Sequence, residues 1–351
     1  ISNQMQIGQN PMKNSVKYYT HNNRIKWLYL LGTVFLVISA ALGIVLGSTP
    51  LSFSEIADAF TEGFNESAGT RIFAYSRLPR TLASLVCGAA LAVAGAVIQG
   101  VLANRLASPS IIGVNAGAGL AVTLCTALGI YGGWQLSFFS FLGAFAAVIL
   151  VSFGSKRWGA SRGTVILIGV AMNSLLGAVS DTITTFIPEV GVMSNDFKIG
   201  EFSSVTYPKL IPAMVIILTV ITVLGTLHNE LDVLTLGEEH AQGLGLNTSA
   251  MRTVFLLFAA LLSGCAVSLA GLLSFVGLLV PHGIRRVAGS KSSHLIGLCA
   301  IYGAGFVCLC DTLARTLFSP YEIPVGIIMA YLGAPFFVFI LVKGKGGHAR
   351  D

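Results

Sequence analysis

Carboxylates are scarce in this chain, yet four of them fall close together: Glu230, Asp232, Glu238 and Glu239, with almost no basic residue until Arg252. No nucleophile or metal-ligand pattern accompanies them, so the chemistry on offer is ion pairing and docking rather than catalysis. The run Gly237-Glu238-Glu239-His240-Ala241-Gln242-Gly243-Leu244-Gly245 predicts a helix of about two turns stopped by glycine, with Ala241 and Gly245 as a small, close-approach surface. That shape suits a plug for another protein's groove, and the alternative is a solvated connecting turn. A second cluster is cationic. Arg77-Leu78-Pro79-Arg80 and Asp311-Thr312-Leu313-Ala314-Arg315 supply three guanidiniums, which pair bidentately with carboxylates. Either an acidic partner docks on Arg77, Arg80 and Arg315, or they pair locally, as Asp311 can with Arg315 four residues on.

Other chemistries have no residues to perform them. There is no Gly-x-x-x-x-Gly-Lys-Ser/Thr phosphate loop, and Lys343-Gly344-Lys345-Gly346-Gly347 is a basic tail. Neither His-Glu-x-x-His nor Cys-x-x-Cys occurs, and the six histidines are scattered over loops and helix ends. No cofactor or metal is expected, and a membrane-embedded enzyme lacks a nucleophile–base set. The six cysteines lie inside apolar runs and read as small buried hydrophobes.

The elements that position these clusters are dictated by composition. Only 10% of the 351 residues are charged and 54% are hydrophobic, with mean hydropathy +0.80, against roughly 25% charged in an ordinary globular domain. With so little charge, most of the exterior must face lipid. A span needs about 20 apolar residues, and ten stretches qualify: 27–47, 80–103, 111–130, 136–153, 163–187, 209–227, 251–270, 272–287, 294–317 and 324–342. The runs are continuous rather than alternating, so the fold class is all-α, about ten transmembrane helices. The domain reading is a cytoplasmic N-terminal segment 1–26, polar and loosely ordered over 1–23, a polytopic domain 27–342 and a basic cytoplasmic tail 343–351. Two spans stand apart: the fourth, whose neighbouring loops are only a few residues long, and the eighth, which is short and carries Pro281 and His282.

Orientation follows from lysine and arginine. With the N-terminus cytoplasmic, only Arg71, Arg77, Arg80, Lys198, Lys209 and Arg315 of the 21 fall outside, which places both termini inside. The net charge of +6 is thus membrane orientation, not a nucleic-acid footprint. The first apolar run is longer than a signal-peptide core of roughly 7–15 residues and reads as a span. In-membrane carboxylates reduce to Asp181 and Asp311, too few for a proton relay. Glycines at 88, 95, 100, 113, 117 and 119 allow close helix contact. Residues 88–95 and 264–271 match at Gly88/Gly264, Ala90/Ala266, Ala94/Ala270 and Gly95/Gly271, an echo consistent with an inverted repeat of helices 2–5 and 7–10.

Several ordered motifs resemble one family. Arg77-Leu78-Pro79-Arg80, Gly88 through Gly95, Gln99, Asn104-Arg105-Leu106-Ala107-Ser108-Pro109 and Ile112-Gly113-Val114 are similar to the first signature of FecCD-type permeases, the membrane subunits of bacterial ABC importers for iron–siderophores, haem and cobalamin. Leu236-Gly237-Glu238-Glu239 with Ala241 and Leu244-Gly245 resembles that family's coupling segment. Phe275-Val276-Gly277-Leu278 with Pro281-His282 and Arg285, then Asp311 with Arg315, Glu322-Ile323-Pro324-Val325-Gly326 and Gly333-Ala334-Pro335-Phe336-Phe337, resemble its later motifs. The resemblance implies a second permease subunit, two cytoplasmic ABC ATPases, an extracytoplasmic substrate-binding protein and residence in the bacterial cytoplasmic membrane. It assigns ATPase coupling to Gly237, Glu238, Glu239, Ala241, Leu244 and Gly245, and binding-protein docking to Arg77, Arg80 and Arg315. The implied activity is ATP-driven import of an iron–siderophore by alternating access; haem or cobalamin import, and an ion-coupled secondary transporter, are the alternatives. Two positions depart from the pattern. Arg105 stands where the family has proline, and Phe197-Lys198-Ile199-Gly200-Glu201 replaces a Trp-x-x-Gly-Ser segment, which suggests pairing with a non-identical permease.

Overall fold

A computed structural model describes residues 11–49, 51–61, 67–157 and 161–345, which are helical with no strand among them. Each of the ten apolar stretches carries a helix: α1 Pro11–Val45, α2 Leu78–Val101, α3 Val114–Ala127, α4 Gly133–Arg157, α5 Arg162–Phe186, α6 Tyr207–Thr226, α7 Thr248–Ala270, α8 Val276–Ala288, α9 Ser292–Thr316 and α10 Val325–Lys345. Among the described residues, seven helices are long and apolar enough to cross a membrane. The fourth stretch, set between loops expected to be only a few residues long, is a full 25-residue helix. Helix also reaches back to Pro11, into the segment expected to be loose, because extending an existing helix is far cheaper than nucleating one. Residues 1–10 and 346–351 of the expected terminal segments lie outside the described residues.

α2 is the axis of the bundle. It packs on α9 and α7 with nearly every residue from Cys87 to Val101 buried, whereas α1 and α5 lie at the periphery. Small residues set that arrangement. A Cβ on Gly88 would sit 2.2 Å from Gly303 O and one on Gly95 2.0 Å from Gly277 O, so backbones meet where side chains would hold them apart. α2 packs on α9 as α7 packs on α4, and α2 touches α7, the pairing that an inverted repeat of helices 2–5 and 7–10 requires.

The third and eighth stretches differ from expectation in an informative way. α3 has 14 residues and α8 has 13, roughly 20 Å of helix against about 30 Å of hydrocarbon. α3 is entered from a 3-10 turn, Pro109–Ile112, and α8 from non-helical backbone, and each begins from a left-handed residue, Gly113 at φ 94° and Phe275 at φ 67°. Gly277, at the start of α8, lies against Gly95, well along α2, so this irregular backbone is deep in the bundle. Non-helical peptide groups survive at such depth only when protein satisfies them. Asn173 Nδ2 donates to Ser110 O at 2.7 Å, Gln99 Nε2 to Gly277 O at 2.9 Å, and the Leu272 amide to Phe197 O at 2.9 Å.

At the end of the bundle that holds Arg80, a short helix Phe53–Thr61 and the run Ala68–Ile72 lead through a π turn, Phe73–Arg77, into α2. Ala59, Phe73 and Ala74 form a satellite core there, with Ile44, Leu51 and Ile56 against it. The six cysteines are free and buried.

Candidate functional site

The acidic segment folds as two short helices, His228–Thr235 and Glu238–Gly243. Gly237 turns the chain between them at φ 109°. The second helix closes in a Schellman pattern, with Leu246 N donating to Ala241 O at 3.0 Å and Gly245 N to Gln242 O at 2.8 Å, around Gly245 at φ 83°. The expected two-turn helix thus contracts to six residues plus its cap.

Its side chains divide into anchors and a free face. Glu238 Oε2 pairs with Arg252 Nη2 at 3.2 Å, and Glu238 Oε1 accepts from Thr248 at 3.4 Å, which clips the short helix to the first turn of α7. Arg162 at the start of α5 donates to Leu234 O at 2.5 Å, and Asp232 accepts the Ser292 amide at the start of α9 at 2.9 Å. One segment is therefore tied to three helices. Ala241, expected on the approach surface, is fully buried instead, because the clip turns that side of the helix onto the bundle. The surface left outward includes Leu236 at 60% exposure, Glu239, His240, Gly243, Leu244 at 68% and Gly245. Sequence reasoning did not identify Arg162, Thr248 or Arg252 as anchors. Each sits in a different helix from the carboxylate or carbonyl it holds, and no local spacing announces the pair.

Arg77, Arg80 and Arg315 turn inward. Arg77 donates to the carbonyls of Ile44 at 3.1 Å and Val45, which the end of α1 leaves without helical partners, and to that of Thr49 just beyond the helix. Arg80 lies across Asp311, with Nη2 3.0 Å and Nε 3.1 Å from Oδ1, while its Nη1 reaches Glu322 Oε2 at 2.6 Å. Arg315 Nε is 3.2 Å from Asp311 Oδ2, and its Nη2 donates to Gly43 O at 3.0 Å. The three are 2–8% exposed and Asp311 is fully buried. Local pairing, the alternative weighed from sequence, describes this conformation: cations withdrawn from water need acceptors, and the chain supplies them. Glu322, a third of whose side chain is exposed, is the part of the cluster that solvent reaches. Burial alone would raise its pKa. The hydrogen bonds from Ser48 at 2.7 Å and from Arg80, with the charges of Arg80 and Arg315, outweigh that and hold it below the ordinary carboxylate value.

Among the described residues, no group of three His, Cys, Asp or Glu side chains is placed to hold a metal ion. The arrangement has two working ends joined by α2, α7 and α9: an anchored acidic segment with an apolar and polar outer face, and a buried ionic cluster.

Residues 34–343 match the model of the FecCD transport family. The chain is 36% identical over 341 residues to the ABC transporter permease protein YvrB of Bacillus subtilis (strain 168), covering 93% of this chain and 96% of the relative. It is 34% identical over 333 residues to the hemin transport system permease protein HmuU of Yersinia pestis, covering 92% and 98%. A solved structure described as a metal-chelate type ABC transporter in an inward-facing conformation superposes with a TM-score of 0.80 at 29% identity, over 91% of this chain and 99% of that one. The chain is an integral membrane protein that belongs to the FecCD transport family and is an ABC importer permease.

Proposed function

We propose that the chain moves an iron–siderophore complex inward across the bacterial cytoplasmic membrane, as one of two permease subunits served by two cytoplasmic ATPases and an extracytoplasmic binding protein. A metal-chelate cargo is supported by the structural neighbour's description and by the hemin transport of HmuU. The observation that carries the coupling step is the threefold tie of residues 228–246 to α5, α7 and α9. An ATPase that grips Leu236, Glu239, His240 and Leu244 can pull on all three helices at once. α7 and α9 both pack on α2, so a shift at the acidic end reaches the arginine cluster at the other. The permease makes and breaks no covalent bond. ATP binding biases it only because the closed ATPase pair fits one permease conformation better than the other.

At the outer end, we read Arg80, Asp311 and Glu322 as a clasp that a docking protein opens by offering its own carboxylate to Arg80 in place of Glu322. Arg77 and Arg315 hold the end of α1 beneath it. Docking on these arginines therefore proceeds by exchange of partners.

Reconstitution with the partner ATPase and binding protein tests the reading. ATP-dependent uptake of a radiolabelled ferric siderophore is expected, and Leu244→Glu, which alters only an exposed side chain, is expected to abolish it while leaving the permease folded. Uptake of hemin or cobalamin but no siderophore selects the alternative cargo. Uptake that follows a proton or sodium gradient without ATPases favours a secondary transporter and ends the ATP-driven account.

A further inference from the structure

Near the acidic segment, a cavity of about 260 Å³ opens between α2, α8, α9 and the helix His228–Thr235, with Gln99, Arg105, Thr235, Arg285, Ser290 and Ser292 in its wall. Its charge is one-sided. Arg285 donates to Gln99 Oε1 and, at 3.1 Å, to Ala96 O, both neutral acceptors. None of the ion pairs among the described residues includes Arg285, and no carboxylate lines the cavity. Arg105 is exposed at the rim, and Arg105, Arg285 and Arg286 all act electrostatically on His282. α9 begins at Ser292, in the same wall. Asp232 accepts the Ser292 amide but is not part of the wall.

A partly buried guanidinium held by neutral acceptors alone, with a second guanidinium beside it, is an incomplete ion pair. The missing partner is an anion that can accept from two forked donors and from hydroxyls, which phosphate oxygens do well. We propose that this cavity binds a phosphate-class anion between Arg105 and Arg285, with Ser290 and Ser292 as further donors. At the cytoplasmic end of the bundle, that anion comes from either of two sources, an acidic lipid headgroup of the inner leaflet or soluble phosphate.

The test uses the full-length permease purified with its ATPase. Retention of phosphatidylglycerol against phosphatidylcholine is read by native mass spectrometry, and thermal stabilisation by inorganic phosphate is read by titration. Wild type is compared with Arg105→Gln and with Arg157→Gln, an exposed inner-face arginine that serves as the charge control. The expected result is a loss of about tenfold or more in apparent affinity in Arg105→Gln and none in Arg157→Gln, the size of one charge-assisted contact. Arg105-dependent retention of phosphatidylglycerol assigns the lipid source, and Arg105-dependent stabilisation by phosphate assigns the soluble one. Equal behaviour of the two variants, or no response of wild type to either probe, overturns the site.

Discussion

Arg80 is the residue on which the arginine cluster turns, because it is the one side chain among the described residues that hydrogen-bonds both Asp311 and Glu322. Removing one partner of a buried pair leaves an uncompensated charge, at a cost of about 3–5 kcal/mol. Arg80→Ala is therefore expected to lower stability by roughly 3 kcal/mol, since Arg315 still faces Asp311, as read from the thermal midpoint of the purified protein. Arg80→Lys is expected to recover little, because an ammonium cannot lie across Asp311 and reach Glu322 together. Glu322 makes the cluster sensitive to acid. Its folded pKa is lowered from the reference value of 4.5, so its contribution is complete above that value and is lost as pH falls through the lower folded value. The difference in thermal midpoint between wild type and Glu322→Gln is expected to stay constant down to about pH 5 and to shrink below about pH 4.5. A difference that grows on acidification would refute the assignment.

At the scale of helices, the decisive contacts are those where no side chain fits. The Cβ of Gly95→Ala would lie 2.0 Å from Gly277 O, and that carbonyl is held by Gln99, so α8 cannot move away without breaking the bond that fixes its entry. Gly119→Ala in α3 meets nothing within 4 Å. The first change is expected to cost at least about 1–3 kcal/mol, through overpacking against backbone. The second is expected to be neutral or stabilising by up to about 1 kcal/mol, through helix propensity. Size-exclusion recovery after a heat step measures both, and equal recovery would show that α2 and α8 are not packed as described. The same reasoning explains the short third and eighth helices. Their irregular entries are legible neither from hydropathy, which is continuous through them, nor from proline alone. They depend on Asn173 and Gln99, side chains on other helices that take over bonds the backbone gives up.

For the whole molecule, the asymmetry of lysine and arginine predicts which end faces the cytoplasm. Because the six native cysteines are buried, single introduced cysteines report side with little background. In intact cells, a membrane-impermeant maleimide is expected to label Ser203→Cys, and to label Glu239→Cys only after lysis. The reverse pattern would invert the topology and separate the acidic segment from any cytoplasmic ATPase. Labelling of Glu239→Cys in lysed membranes that is blocked by the partner ATPase would place that protein on the face of Leu236 and Leu244.

The amino-acid sequence by itself determined the solvent, the class of fold and the position of the helices, because hydrocarbon imposes a length and a polarity on every segment that crosses it. It also marked the acidic segment and the outer arginines as the two unusual places, since a departure from the charge pattern is visible residue by residue. Only the tertiary structure decided what those residues touch. Ala241 turned inward, Glu238 became an anchor, and Arg77, Arg80 and Arg315 found acceptors on α1, on α9 and before α10. Those contacts join residues up to 272 positions apart, where spacing along the chain carries no information about distance in space. Helix position is a property of local hydropathy, whereas the partner of a buried charge is set by the packing of the whole bundle.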